Sequence, residues 1–307
     1  LSDPASLWDS GNVIRLFPTL SVFLVAVFVA FDGIAVEPYS GPGIRSMELL
    51  SASQAIVPGQ DLHLGLLIAP EPEHHTYWKG PGIVGVATSI TWDLPEGFEA
   101  GPLRWPAPEK VDMVGITANG YRGTTLLLTT IKTPHSLPNG SYRVNAKVAW
   151  MACATSCNPG VTDLSLTLPC DPAKFPESEN TSVLKLFQSI ETSIPSPAPT
   201  AWKREVTLTD KNTITLTLSI PGLNRELAEY IDFFCDDMQV NSDKPTKMTW
   251  LEDDSGTFQL QFSRPDFAPK NPSHFSGLIT NPAGWPLAES SSYEISVPWS
   301  EDTFPDE

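Results

Sequence analysis

Along most of the chain, apolar and polar residues alternate with the period of two that marks half-buried strands. Residues 47–52 open the first ordered stretch, and 62–68, 90–94, 124–130, 142–148 and 164–168 continue the pattern. Pro58-Gly59-Gln60, Pro95-Glu96-Gly97 and Pro138-Asn139-Gly140 supply turns between them. Six or seven short strands separated in this way predict an immunoglobulin-like β-sandwich ending near Pro169. The alternation resumes after Glu205 at residues 206–209, 213–220, 258–262 and 293–297, which predicts a second small β-sandwich. Between the two, Val183, Leu184, Leu186, Phe187 and Ile190 fall on one helical face, with residues 180–182 as cap candidates. Prolines 172, 176, 195, 197 and 199 bracket this helix. The predicted fold class is therefore all-β, with two sandwiches and a short helix packed at their junction. The expected division is a first sandwich at 36–170, a proline-rich linker at 171–200 and the second sandwich at 201–300. Residues 36–45, rich in Pro and Gly, read as a flexible lead-in.

A different pattern precedes these strands. After Arg15, residues 16–31 form an uncharged run of about sixteen residues, short of the roughly 20 that span a membrane comfortably and typical of a signal peptide. Gly33 and Ala35 place small residues at the −3 and −1 positions of a cleavage site after Ala35. Residues 1–35 are accordingly expected to be a signal peptide or an N-terminal anchor, and the rest to work outside the cytoplasm. The acidic stretch 301–307 reads as a disordered tail. The 30 prolines in 307 residues reinforce the preference for short strands and turns over long helices. Nineteen basic against 36 acidic side chains give a net charge of −17, which repels phosphate backbones and excludes nucleic acid as a partner.

Candidate chemistry rests on four cysteines. Cys153 and Cys157 stand four positions apart, so a disulfide between them needs the backbone to turn, as a single helical or irregular turn does, and bring their Cα atoms to roughly 5.5–6 Å. They lie between two alternating stretches, which predicts an accessible dithiol at the end of a sheet. So short a loop removes little chain entropy, and this favours redox or metal chemistry over a plain staple. A structural disulfide in a non-enzymatic binding module is the alternative. Cys170 and Cys235 either bridge the two halves or remain two buried thiols. His74, His75, Tyr77 and Trp78 in one loop and Trp105 in another carry rings that either plug the sandwich ends or form a hydrophobic lid around the dithiol. The histidine pair lacks a full ligand set, so no metal site and no cofactor is expected. No Lys, Arg or His lies within five residues of either sulfur, so no local charge lowers a thiol pKa.

His75-Thr76-Tyr77-Trp78-Lys79-Gly80-Pro81-Gly82, Trp92-Asp93-Leu94-Pro95-Glu96-Gly97-Phe98, Trp105-Pro106-Ala107-Pro108, Gly120-Tyr121-Arg122-Gly123 and Cys153-x-x-x-Cys157-Asn158-Pro159-Gly160 follow one another in that order. Together they resemble the periplasmic N-terminal module of DsbD-type thiol:disulfide interchange proteins, in particular the subgroup related to suppressor-of-copper-sensitivity membrane proteins. The resemblance covers about residues 49–169. Ile231-Asp232-Phe233-Phe234-Cys235 and His274-Phe275-Ser276-Gly277-Leu278-Ile279 resemble the second β-domain of that subgroup, less specifically. The resemblance implies an immunoglobulin-like sandwich in the periplasm whose redox pair is Cys153 and Cys157, with His75, Tyr77, Trp78 and Trp105 in the loops nearby. It also implies a thioredoxin-like domain or a membrane electron conduit of DsbD type as donor, and periplasmic protein thiols as acceptors. Cys157 is favoured as the sulfur attacked first, although the family's better-known members space the pair more widely. The subgroup's name, with the soft thiolates, adds copper(I) binding as a further alternative.

Overall fold

The computed structural model describes residues 38–170, 181–251 and 256–299. The expected signal segment at 1–35, the first part of the linker at 171–180 and the acidic tail at 301–307 lie outside these described residues. No helix among the described residues is long and apolar enough to cross a membrane.

The alternating stretches form strands in two β-sandwiches, and the molecule is nearly all β. In the first, β1 (Tyr39–Gly41), β2 (Ile44–Ser51) and β3 (Leu62–Pro70) lead to β4 (Thr76–Tyr77), β5 (Ser89–Asp93) and β6 (Glu99–Ala100). They are followed by β7 (Glu109–Met113), β8 (Ile116–Tyr121), β9 (Thr125–Lys132), β10 (Gly140–Cys153) and β11 (Cys157–Cys170). One sheet has the order β1-β2-β3-β9-β6 and faces a second of order β11-β10-β5. The stretch expected to be a flexible lead-in thus already contains β1 and the start of β2. Met47, Leu49, Leu66, Ile68 and Leu127 of the first sheet meet Ala146, Val148, Trp150 and Leu164 of the second to make the core.

β3 is buried along nearly its whole length because its sheet is covered on both faces. The cover on the outer face is the predicted helix, α1 (Thr181–Glu191). Phe187, backed by Val183, Leu184, Leu186 and Ile190, packs on Ala52, Leu126 and Leu128. The apolar stripe read from the sequence therefore lies on the first sandwich. Arg104 clamps the helix end, its two terminal guanidinium nitrogens donating to the Glu191 carboxylate.

The second sandwich comprises β12 (Ser196–Pro197), β13 (Lys203–Asp210), β14 (Thr213–Ser219), the short α2 (Arg225–Ala228), β15 (Asp232–Cys235), β16 (Lys247–Trp250), β17 (Thr257–Ser263), β18 (His274–Thr280) and β19 (Ser292–Pro298). Its sheets have the orders β12-β19-β18-β15 and β13-β14-β17-β16. Between them Phe233 stacks on Phe275 with ring centroids 5.2 Å apart, and Trp202 packs on Trp285 and Tyr293.

A third sheet, of order β4-β8-β7, belongs to neither sandwich. β7 and β8 form a hairpin whose two-residue turn, Val114-Gly115, has positive φ at both positions (52° and 84°), the type I′ geometry. The Asp112 carboxylate accepts the Gly115 N–H and fixes that turn.

Candidate functional site

β10 and β11 are each 14 residues long and pair without a break from Gly140↔Cys170 to Cys153↔Cys157. The cysteines are the last residue of one strand and the first of the next, directly opposite each other at the hairpin tip. They are joined in a disulfide with their Cα atoms 4.1 Å apart. The chain turns between them through residues 154–156, closed by Ala154 N–H donating to the Ser156 carbonyl at 3.0 Å.

Strand alternation decides which way the disulfide faces. Ala146, Val148, Trp150 and Ala152 of β10 point into the core. Residues one step out of phase, Arg143, Asn145, Lys147 and then Met151 and Cys153, point to the outer face. Most of that face is polar. At its tip the small third sheet roofs it, and Tyr77, Val111 and Ala118 bury Cys153 together with Val84, Met113 and Met151. Cys153 is fully buried, while Cys157 is half-buried. The dithiol expected to be accessible is thus accessible at one sulfur's residue only.

His75 joins the roof to the sheet. Its N–H donates to the Cys153 carbonyl at 2.9 Å and its carbonyl accepts the Cys153 N–H at 3.0 Å, so β10 is flanked at the cysteine by β11 on one side and the β4 segment on the other. The His75 ring is buried, with Nε2 3.2 Å from the Tyr77 hydroxyl. Burial holds the imidazole pKa below its ordinary value, aided by the Arg122 and His74 charges and opposed by Asp112 and Glu109. Burial pushes the Tyr77 phenol up to about 12. Both groups beside the disulfide are therefore neutral at physiological pH, and the site is a low-polarity chamber.

The segment over Tyr77 is the loop from Lys79 to Thr88. Gly82 and Gly85 adopt φ of 95° and 92°, and a side chain at Gly85 would overlap the Tyr77 ring. Between these glycines Val84 reaches the disulfide cluster. Gly160 has a related role in the Cys-Asn-Pro-Gly run. It pairs with Trp150, whose indole occupies the space a Cβ would take. Asn158 is placed by His74, 3.2 Å from its side-chain nitrogen.

His75 and Tyr77, two of the four ring residues that the resemblance places near the redox pair, are brought to the disulfide. The other two are not. Trp78 and Trp105 pack with Tyr121 against Phe234 and Leu278 of the second sandwich, Trp78 edge-on to Phe234 at 6.3 Å. Cys170 and Cys235 do not bridge the two halves: Cys170 is buried among Ile56, Val144 and Leu168 of the first core, and Cys235 in the second core. The Cys235 thiol donates to Asp237 at 2.7 Å, and burial raises its pKa well above the ordinary thiol value. Sequence reading missed Val84, Val111, Met113 and Ala118. No local pattern in the sequence marks them as neighbours of the disulfide. Among the described residues no three His, Cys, Asp or Glu side chains gather as a metal site would require.

Residues 46–169 match the family described as thiol:disulfide interchange protein DsbD, N-terminal. Over those residues the first sandwich is similar to a DsbD-type N-terminal module. The matched stretch contains the β10–β11 hairpin, the disulfide and the whole roof. In fold, the chain is similar to the crystal structure of the N-terminal periplasmic domain of ScsB from Proteus mirabilis, with a TM-score of 0.57 and 17% identity over 86% of this chain and 98% of that one. That likeness extends beyond the module into the second sandwich. Comparison with curated proteins gives no match.

Proposed function

We propose that this protein exchanges disulfides in the periplasm, taking electrons from a thioredoxin-like domain or a DsbD-type membrane conduit and passing them to protein thiols. The observation that carries the reading is the placing of the disulfide. It lies at the roofed tip of a hairpin that 14-residue strands already hold together, so as a staple it would add little. The unequal exposure of the two cysteines supports a direction of attack. A donor thiolate reaches the half-buried Cys157, forms an S–S bond with its sulfur and expels Cys153 as a thiolate. The donor's second thiolate then attacks its own bridged sulfur and releases the Cys157 thiolate. Two electrons and two protons have moved, leaving two thiols here and a disulfide on the donor. Passing them on reverses the sequence with a substrate disulfide.

The neutral chamber suits this exchange, because Tyr77 and Val84 pack over the disulfide and shield Cys153 while Cys157 stays open to the donor. Incubating the oxidised protein with a reduced thioredoxin-like donor, followed by alkylation and peptide mass mapping, tests the proposal. New alkylation at Cys153 and Cys157 is expected. A disulfide that resists the donor and has a potential below about −300 mV, typical of structural bridges, would leave the binding-module reading in place.

A further inference from the structure

The roof over the disulfide is fastened from the second sandwich. Residues 241–243 form a loop there, anchored where Asn241 N–H donates to the Ser263 carbonyl at the end of β17. The Asn241 side chain accepts the Asp243 N–H at 3.0 Å, an Asx turn that stiffens the loop. From it Ser242 makes two bonds: its hydroxyl donates to the Thr117 carbonyl at 2.7 Å and accepts the Ile83 N–H at 3.1 Å. Asp243 accepts the Thr117 N–H at 2.8 Å. Thr117 belongs to β8, the middle strand of the roof, and Ile83 adjoins Val84 in the glycine-flanked loop that touches the disulfide cluster. Two neighbouring residues of the second sandwich therefore tie together both pieces of the cover on the first. Further contacts brace the same pieces. Lys79 pairs with Asp236 at 2.7 Å, and Lys110 of β7 lies 4.3 Å over the Phe234 ring. Gly80 fits against the backbone of Cys235 and Asp236 so closely that a Cβ would collide with it.

We infer that Ser242 and Asp243 are positioning residues for the redox site, holding the roof shut over Cys153–Cys157 and so setting the rate at which an outside thiol reaches Cys157. The second sandwich thereby acts as a clasp on the chemistry of the first. The roof is suited to such control. Its loop turns on Gly82 and Gly85, and its hairpin meets the sandwich through one short strand, β4. Apart from the clasp, Asn119 of β8 holds the start of the loop, its N–H donating to the Pro81 carbonyl at 2.9 Å and its side chain to the Gly80 carbonyl at 2.8 Å, while Ile83 is held by Ser242. The inference rests on the interchange reading for its biological meaning, but not for its test.

The test is the rate at which dithiothreitol reduces the disulfide in the full chain, read together with hydrogen exchange at the Ile83 and Thr117 amides. Ser242→Ala removes two hydrogen bonds and is expected to speed reduction by about tenfold, as opening becomes more frequent. Exchange at both amides should rise with it. Ser242→Thr keeps the hydroxyl and should restore the wild-type rate, and Asp243→Ala should behave like Ser242→Ala. Glu191→Gln, which weakens a surface clamp on α1 away from the roof, should leave the rate unchanged. Equal acceleration by Glu191→Gln would mean general loosening and would overturn the clasp. So would an unchanged rate in both Ser242→Ala and Asp243→Ala. Acceleration by the clasp variants in a protein that exchanges with no thioredoxin-like donor would uphold the clasp and remove the interchange reading instead.

Discussion

Two side chains at the disulfide carry a pH signature that follows from burial. The His75 imidazole is held below its ordinary pKa of 6.5, so between pH 6.5 and its folded value the unfolded chain binds more protons than the folded one. Stability from this group is fully present above pH 6.5 and is lost as the pH falls below it. The thermal midpoint should therefore drop between pH 7.5 and 5.5, and the drop should shrink in His75→Asn. Tyr77 acts at the other end of the scale. Its phenol is raised from 10.0 to about 12, so the folded state keeps a proton that the unfolded state releases, and stability falls as the pH rises through that window. Tyr77→Phe should flatten that fall, leaving the part due to buried Tyr121. Gly160 makes a steric prediction. A methyl group there would enter the Trp150 ring, and Gly160→Ala should cost about 1–3 kcal/mol in denaturant unfolding.

At the scale of elements, α1 contributes through one ring. Phe187 seals the outer face of the β3–β9 pair, where Gly65 leaves just enough room for it beside Leu126. Phe187→Ala should destabilise the first sandwich by about 3–5 kcal/mol, measured by chemical denaturation. This helix was legible in the sequence because five apolar residues kept its period, and most core strands were legible for the same reason. The hairpin was legible in part: the alternating stretches on either side put the cysteine pair at the end of a sheet, but not Cys153 under a cover that buries it. The roof was not. Its turn is Val114-Gly115 where an Asn-Gly pair would have announced a type I′ hairpin, and its strands are short and cover a patch that no local pattern marks. Trp78 and Trp105 misled for a related reason: loop aromatics signal burial without saying against what, and here the partner, Phe234, is more than a hundred residues away. Ser242 and Asp243 had no signal beyond ordinary turn chemistry.

For the whole molecule, the two sandwiches form one compact unit, and their contact contains the Trp78, Tyr121, Phe234 and Leu278 cluster as well as the clasp. We propose the domain boundary at the linker 171–200, with the interface adding cooperativity across it. Thermal unfolding of the intact chain should then give a single transition, and Phe234→Ala should split or broaden it. Two well-separated transitions in the wild type would mean that the interface contributes little.

The central claim is interchange at Cys157, and trapping the covalent intermediate tests it most directly. Removing the resolving sulfur on both sides should strand the mixed disulfide. Cys153→Ser, mixed with a thioredoxin-like donor whose own resolving cysteine has been replaced, should accumulate a covalent complex through Cys157, visible by non-reducing electrophoresis and mapped by mass spectrometry. Cys157→Ser should give none, because Cys153 lies buried beneath Tyr77, Val111 and Ala118. Trapping by Cys157→Ser alone would contradict the assignment of the attacked sulfur, and trapping by neither would contradict the interchange itself.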